Sequence, residues 1–247
     1  MNFFAYMKDL LCLILAGGKS TRVREFLNEE EPIKQMFFID EKRLIEHTFD
    51  LVQSIRVEKA VLSRLSDKHR LMNSLVNERG FRLLYEKAPL VKISFFVELP
   101  LVILYQYWLS SDHSYLRTFR SIMTIPSDLF FVDVDFTSFI EHHFRHLKAG
   151  KKNVFSFLSK RYTGEGRSFY FKLDGDRIIK CKKANSQPPS CFISYTQSGA
   201  YIFTTSFLRN PLLILKGLKG NIFTLYETNG TWIDYGDPAT IKRLRGE

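Results

Sequence analysis

The sequence predicts an α/β fold with a mixed, mostly parallel sheet, on three observations. Through the first 150 residues, short apolar strand-like runs alternate with longer helix-like ones, the pattern of parallel strands joined by helices that cover both sheet faces. From about 151 to 230 the texture turns β-rich, as a hairpin region added to that sheet. The length of 247 residues and a hydrophobic content of 45% suit one domain with a full-sized core.

Each element has its own signal. LLCLILA (10–16) is a buried first strand, and DEKRLIEHTFDLVQSI (40–55) sets Leu44, Ile45, Phe49, Leu51 and Val52 on about one helical face. KAVLSR (59–64) and FRLLY (81–85) are strands, with a polar amphipathic run to about 79 between them. Residues 89–109 read as a buried helix with flanking loop. FRSIMTIPSD (119–128) is a central strand, and FTSFIEHHFRHLKAG (136–150) is a helix stopped by Gly150. NVFSFLSK, RSFYFKL and DRIIKCKKA follow as β runs, the last two joined by an Asp-Gly turn at 174–175 that marks a hairpin. GAYIFTT, a short helix near 205–216, NIFTLYE and a helix from Pro238 close the chain.

Composition excludes several classes. Cys12, Cys181 and Cys191 form no C-x-x-C pair, which argues against a disulfide framework or a cysteine zinc site and for a reducing, cytoplasmic setting. No membrane association is expected: Leu10–Ala16 is too short, and the apolar stretch Pro89–Leu109 is interrupted by Lys92, Glu98 and Pro100. The formal charge of +10 calls for an anionic partner. The basic segments 142–152, 159–167, 177–183 and 242–245 are scattered, without the continuous basic face or motif of a nucleic-acid binder.

In an open α/β sheet, ligands sit outside the strand C-termini. The loop after the first strand, LILAGGKSTR (13–22), therefore comes first. Its Gly-Lys-Ser-Thr run suggests the G-x-x-x-x-G-K-[ST] phosphate loop, but Leu13 stands where that loop needs glycine. What remains is a paired-glycine turn whose amides can face a triphosphate, with Lys19, Ser20, Thr21 and Arg22 adding donors and charge.

LILAGGKSTR resembles the L-A-G-G-x-G-T-R signature of the nucleotidyltransferases that activate sugar 1-phosphates and related phosphorylated alcohols, with Ser20 where many members have glycine. PIKQMFFIDEKRLIEHTF (32–49) is similar to the family's Pro-Lys segment, and Lys34 falls at its nucleotide-binding lysine. PSDLFFVDVDF (126–136) resembles G-D-x-x-x-x-x-x-D-F, which puts Asp128 at the metal aspartate and Asp135 at a helix start. SGAYIF (198–203) is similar to the N-A-G-I-Y-V-F strand, and TWIDYGDPATIKRL (231–244) to W-x-D-x-G-T-P-x-x-L, with Asp234 as second metal aspartate.

The resemblance implies a single α/β domain, a three-layer Rossmann-like αβα arrangement with a β-hairpin acceptor-binding lobe. Residues 1–150 would form the nucleotide-binding part and 151–230 the acceptor-binding elaboration. It further implies Mg²⁺, an NTP and a phosphorylated sugar or polyol. Leu15, Ala16, Gly17, Gly18, Lys19, Ser20 and Thr21 would bind the nucleotide, Arg22 and Lys34 would be catalytic, Lys183 and Gly199 would meet the acceptor, and Asp128 and Asp234 would hold the metal. Departures narrow the substrate. KKAN (182–185) lacks the glutamate of the family's Glu-Lys-Pro, and APLVKIS (88–94) replaces P-L-G-T-A, so sugar and base recognition differ. A polyol phosphate acceptor follows, with CTP and inositol 1-phosphate as the narrowest reading. A homodimer is compatible with the sequence, though no surface stripe argues for one.

The chemistry asks for such residues. An acceptor phosphate oxygen attacks the α-phosphorus of the NTP, and like charges about 4 Å apart repel by roughly 4 kcal/mol at an effective dielectric near 20. Cations are therefore required, whereas a general base is not, because the nucleophile is already ionised. Each candidate also has a plainer reading. Asp128 could cap a helix, Asp234 could be a turn residue beside Gly236, and Lys34 and Lys183 could be surface charge. Arg22 could pair with Glu29, Glu30 and Glu31. The six histidines lack metal-ligand spacing, and His142, His143 and His146, on one expected helix, read as solvated surface. A degenerate nucleotide-binding relative and, on charge alone, a nucleic-acid binder are the competing function classes.

Overall fold

The computed structural model describes residues 7–17, 20–85, 113–163, 168–183, 191–209 and 221–245. The apolar run 89–109, most of the helix expected near 205–216 and the KKAN end 184–185 lie outside them. The strands are β1 (Leu10–Leu15), β2 (Phe38–Ile39), β3 (Lys42–Arg43), β4 (Glu58–Ser63), β5 (Arg82–Tyr85), β6 (Ser121–Pro126) and β7 (Leu129–Val132). They continue with β8 (Asn153–Arg161), β9 (Ser168–Asp174), β10 (Arg177–Lys183), β11 (Ile193–Thr204), β12 (Asn221–Glu227) and β13 (Thr231–Asp234). The helices are α1 (Leu44–Gln53), α2 (Arg70–Glu78), α3 (His113–Leu116), α4 (Phe136–Lys148), α5 (Ser206–Arg209) and α6 (Pro238–Arg245).

Nine strands form one mixed sheet in the order β5-β4-β1-β6-β11-β8-β12-β10-β9. β1 sits between β4 and β6, parallel to both, with Leu13 opposite Ala60 and Thr124. β11 runs antiparallel to β6 and β8, and β12 runs parallel to β8, so the C-terminal ends of β1, β6, β8 and β12 share one rim. The hairpin β9–β10 extends the sheet, and β9 returns to pair with β11, Tyr195 opposite Phe169. Strands β11-β8-β12-β10-β9 thereby close on themselves. Phe157, Phe171, Tyr195, Tyr201 and Leu225 belong to the apolar cluster of this region.

Both sides of β1 are buried, which is why it reads as a continuous apolar run rather than an alternating one. Leu10, Cys12 and Ile14 join the cluster of Phe49 and Val52 from α1, Met72 and Val76 from α2, and Phe139 and Phe144 from α4. Leu11 and Leu13 join Leu116, Ile122, Phe155 and Phe207 on the other face. Among the described residues, no helix is long and apolar enough to cross a membrane.

Local chemistry sets the helix ends. Asp135 caps α4 by accepting from the Ser138 N–H at 2.9 Å, and Gly150, at φ 81°, turns the chain after it. Asp237 accepts from the Thr240 N–H at 3.2 Å at the start of α6, where Pro238 loses no hydrogen bond because a first-turn N–H has no helical partner.

One expectation fails. His142 and His143 are not solvated: both are buried on the inner face of α4. The reason is polar matter on the strands beneath. His143 contacts Ser121 Oγ at 3.1 Å and Ser156 Oγ at 2.9 Å, and His142 Nε2 contacts Thr224 Oγ1 at 3.1 Å. Burial pushes the His142 pKa down to about 4 and holds that of His143 well below 6.5. A depressed histidine stabilises the fold above its unfolded pKa near 6.5, and that stability is lost as pH falls toward the folded value. Thermal melts are expected to show Tm falling between about pH 6.5 and 4. His143→Asn, less stable at pH 7, should lose less over that window.

Candidate active site

The site is assembled at the rim from four segments that the sequence keeps far apart. At the end of β1, the Ala16 N–H donates to the Leu62 carbonyl at 2.8 Å, so Leu15, Ala16 and Gly17 leave the sheet in a fixed direction. Gly18 and Lys19 lie outside the described residues. Ser20 is left-handed, φ 53° and ψ 26°, the conformation glycine would adopt freely at this place. Its Oγ accepts from the Lys34 N–H at 3.1 Å, which ties the loop to the lysine segment.

Thr21 and Arg22, both exposed, open a 3₁₀ turn, Thr21–Phe26, anchored by buried Val23 and Phe26. These two pack in a small core with Phe37, Leu44, Tyr235 and Ile241. That core fixes the segments bearing Arg22, Lys34 and Asp234 against one another. Lys34 is only 9% exposed, so it is not a surface charge, and its Nζ pairs with Asp128 Oδ2. Glu31 is held by Arg245 at 2.9 Å rather than by Arg22.

Asp128 follows β6. Ser127, fully buried, donates through both N–H (3.2 Å) and Oγ (2.7 Å) to the Leu15 carbonyl and joins the ends of β1 and β6. Ser127 is not among the positive-φ residues, so serine fits where the resembled motif has glycine. Asp128 does not cap α4, a role taken by Asp135. Asp234 ends β13, which pairs antiparallel with β7, Asp234 opposite Leu129. The Tyr235 N–H donates to the Asp128 carbonyl at 2.9 Å, so the two aspartates are neighbours through the backbone.

Gly236 marks the point of convergence. A Cβ placed there would lie 2.8 Å from Asp234 Oδ1, 3.0 Å from Arg22 Nη2 and 3.1 Å from Asp128 Oδ2. The Gly236 N–H donates to Asp234 Oδ1 at 2.7 Å, so the turn role foreseen for Asp234 is real and coexists with its place in the cluster. Burial raises the Asp234 pKa first and the charge of Asp128 raises it further, against the lowering effects of the Gly236 N–H, Arg22 and Lys34.

Farther along the rim, Gly199, at φ 75°, lies in an irregularity of β11, its Cβ position 3.1 Å from Pro126 Cγ. Ser159 Oγ and Gln197 Oε1, opposite each other on β8 and β11, are buried and have no hydrogen-bond partner among the described residues. Lys160 Nζ donates to Thr231 Oγ1 at 2.7 Å and lies over the Trp232 ring. Sequence reasoning missed Gly236 and Gln197 as site residues and counted Lys160 as scattered charge. The only signal was position: Gly236 lies two residues past Asp234, Gln197 two before Gly199. Lys183 ends β10, and its side chain lies outside what is described.

No family model matches the chain, and no curated protein matches it in sequence. Solved structures do. One from Bacillus anthracis, assigned as a glucose-1-phosphate thymidylyltransferase in complex with a sucrose, superposes with a TM-score of 0.62 at 16% identity, over 96% of this chain and 94% of its own. The inositol-1-phosphate CTP transferase from T. maritima gives 0.61 at 14%, over 95% and 91%. The chain has the sugar-phosphate nucleotidyltransferase fold. HddC from Yersinia pseudotuberculosis, complexed with GMP-PN, gives 0.62 at 17%, over 96% and 99%. At these identities the fold is what the neighbours share with it.

The raised Asp234 pKa has a thermodynamic consequence. Below about pH 3.8 the carboxyl is neutral in both folded and unfolded chains, so its removal changes little. Above the raised folded value, its ionisation opposes folding. Asp234→Asn should therefore raise the Tm of the metal-free protein at pH 7, and calorimetry near pH 3 should show no such gain.

Proposed function

We propose that the chain is a nucleotidyltransferase that moves NMP from an NTP to a phosphorylated sugar or polyol and releases pyrophosphate. CTP and inositol 1-phosphate are its narrowest substrate pair, and the cytoplasm is its setting. The supporting observation is the convergence of Asp128, Asp234 and Arg22 about Gly236, with Lys34 on Asp128, at the strand C-termini of this fold.

In the reaction, an acceptor phosphate oxygen forms a bond to the α-phosphorus, and the bond from the α-phosphorus to the bridging oxygen breaks. Pyrophosphate leaves with the electron pair. The loop after β1, through Leu15, Ala16 and Gly17 and again at Ser20 and Thr21, lines the triphosphate with amides and hydroxyls. Arg22, exposed and unhindered by the acidic run, meets the leaving pyrophosphate. Lys34, buried and already ordered by its bond network, shares its charge between Asp128 and the α-phosphate. No residue needs to remove a proton from the nucleophile.

Asp128 and Asp234 fit Mg²⁺: both are hard oxygen donors, and a dication would offset the burial and the mutual repulsion that raise the Asp234 pKa. Such an ion, when bound, supplies Lewis acidity and charge neutralisation at the phosphate oxygens. Gly199, Lys183 and the unpaired oxygens of Ser159 and Gln197 form the acceptor side. Unpaired buried oxygens near a rim suit a polyhydroxyl ligand, whose O–H groups would satisfy them.

A matrix of common NTPs against sugar and polyol phosphates, read by pyrophosphate release, tests this. Release is expected only when Mg²⁺ and an acceptor are both present. Asp128→Ala and Asp234→Ala should abolish it, and Lys34→Met should lower kcat by about 10²–10³. Gly236→Ala should also be inactive while folded, because its Cβ displaces the carboxylates. NTP binding without turnover across the whole matrix, or full activity in both aspartate variants, would overturn the proposal.

A further inference from the structure

A second cluster of ligating side chains stands apart from the rim aspartates. His142 and His146 lie one turn apart on α4, and Asp176 lies in the β9–β10 turn. One ligating atom from each falls within 4.8 Å of the others. Asp176 Oδ2 is 3.0 Å from His146 Nε2 and 3.6 Å from His142 Nδ1.

The hydrogen-bond network beneath fixes the form of His142. Thr224 Oγ1 donates to Ser156 Oγ at 2.9 Å, so it accepts from His142 Nε2–H at 3.1 Å. Nδ1 then carries a lone pair 3.6 Å from a carboxylate oxygen. Two lone pairs facing each other repel unless a cation lies between them. Arg145 on the same helix opposes any cation here, and the charge of Asp176 offsets it.

We propose that His142 Nδ1, His146 Nε2 and Asp176 form a binding site for one transition-metal dication of the Zn²⁺ class, which clamps the β9–β10 turn to α4. Two ligands each about 2.1 Å from a tetrahedral ion stand about 3.4 Å apart, and the observed separations of 3.0 and 3.6 Å straddle that value. Thr224 is the outer partner that orients a metal-binding imidazole through its other nitrogen. The Asp176 side chain is 41% exposed, so water can reach the fourth position. Imidazole nitrogens favour zinc, cobalt or nickel, whereas Mg²⁺ prefers all-oxygen ligands, so the two sites select different ions.

The test uses the full chain, stripped with a chelator and dialysed against Zn²⁺ or Co²⁺. Wild type should retain one Zn²⁺ per chain by elemental analysis, give the visible bands of four-coordinate Co²⁺, and melt at higher temperature with Zn²⁺ than without. His146→Ala and Asp176→Asn, both at partly exposed positions, should fold and bind Zn²⁺ at least about 100-fold more weakly, and Thr224→Val about 10–100-fold more weakly. The Asp128→Ala and Asp234→Ala double variant should bind as wild type does. No retained Zn²⁺ in wild type, or wild-type affinity in both His146→Ala and Asp176→Asn, would overturn the proposal. The readouts are independent of turnover, so nucleotidyl transfer and the clamp stand or fall separately.

Discussion

Holding two carboxylates together at the edge of a sheet is the constraint from which much of this architecture follows. Asp128 and Asp234 repel each other in a partly buried place, and the chain alone must keep them there. It does so with backbone rather than side-chain force. The β7–β13 ribbon fixes four residue pairs in register, and the Tyr235 N–H bonds to the carbonyl of Asp128 itself. The ribbon thus holds the two residues' backbones side by side. Cations then lower the remaining cost, Lys34 on one carboxylate and Arg22 beside both. The small core of Val23, Phe26, Phe37, Leu44, Tyr235 and Ile241 keeps those cations from drifting outward.

Two serines show how the chain departs from a glycine pattern without losing the geometry. At Ser20 the left-handed backbone costs a non-glycine residue about 1–2 kcal/mol. The hydroxyl returns part of that through its bond from the Lys34 N–H, a net contribution of about 1 kcal/mol for a typical hydrogen bond. At Ser127 no such strain arises, and the hydroxyl is a gain, because it locks β6 to β1 beside Asp128. At Ser20 the tie ends on the segment that carries Lys34, and at Ser127 it joins the ends of β6 and β1. A more rigid rim is the result.

Much of the architecture was legible in the sequence because it is encoded locally. The alternation of apolar runs marked β1, β4, β6 and β8, the Asp-Gly step marked the β9–β10 turn, and Gly150 marked the end of α4. The order of the motifs put Arg22, Lys34, Asp128 and Asp234 on separate segments, and the fold brings these four side chains together. Pairings across long separations were not legible. Nothing near His142 in the chain announces that Thr224, 82 residues on, will offer it a hydroxyl, and a basic helical segment reads as solvated until its partners are known. The return of β9 to β11 has the same character, since a strand's pattern shows which face is apolar but not which neighbour it finds. Gly236 was passed over because a glycine beside an aspartate reads as a turn, and only the surrounding charges show why no larger residue fits.

The rim and the histidine cluster are joined by the same two strands. β12 presents Thr224 to His142 from its interior and ends at Glu227, which bonds to Tyr195 and Arg161 at the rim. β8 presents Ser156 to His143 and ends at Ser159, Lys160 and Arg161. The backbone carbonyl of Asp176 accepts from the Leu225 N–H, so the hairpin turn is tied to β12 by main chain, and its side chain reaches α4. An ion at that point would add a side-chain tie to a junction the main chain already makes. Among the described residues, only Arg177 and Thr224 are in register between β10 and β12. So thin a seam gains most from a clamp, and the rim ends of β8 and β12 belong to the strands that the seam joins.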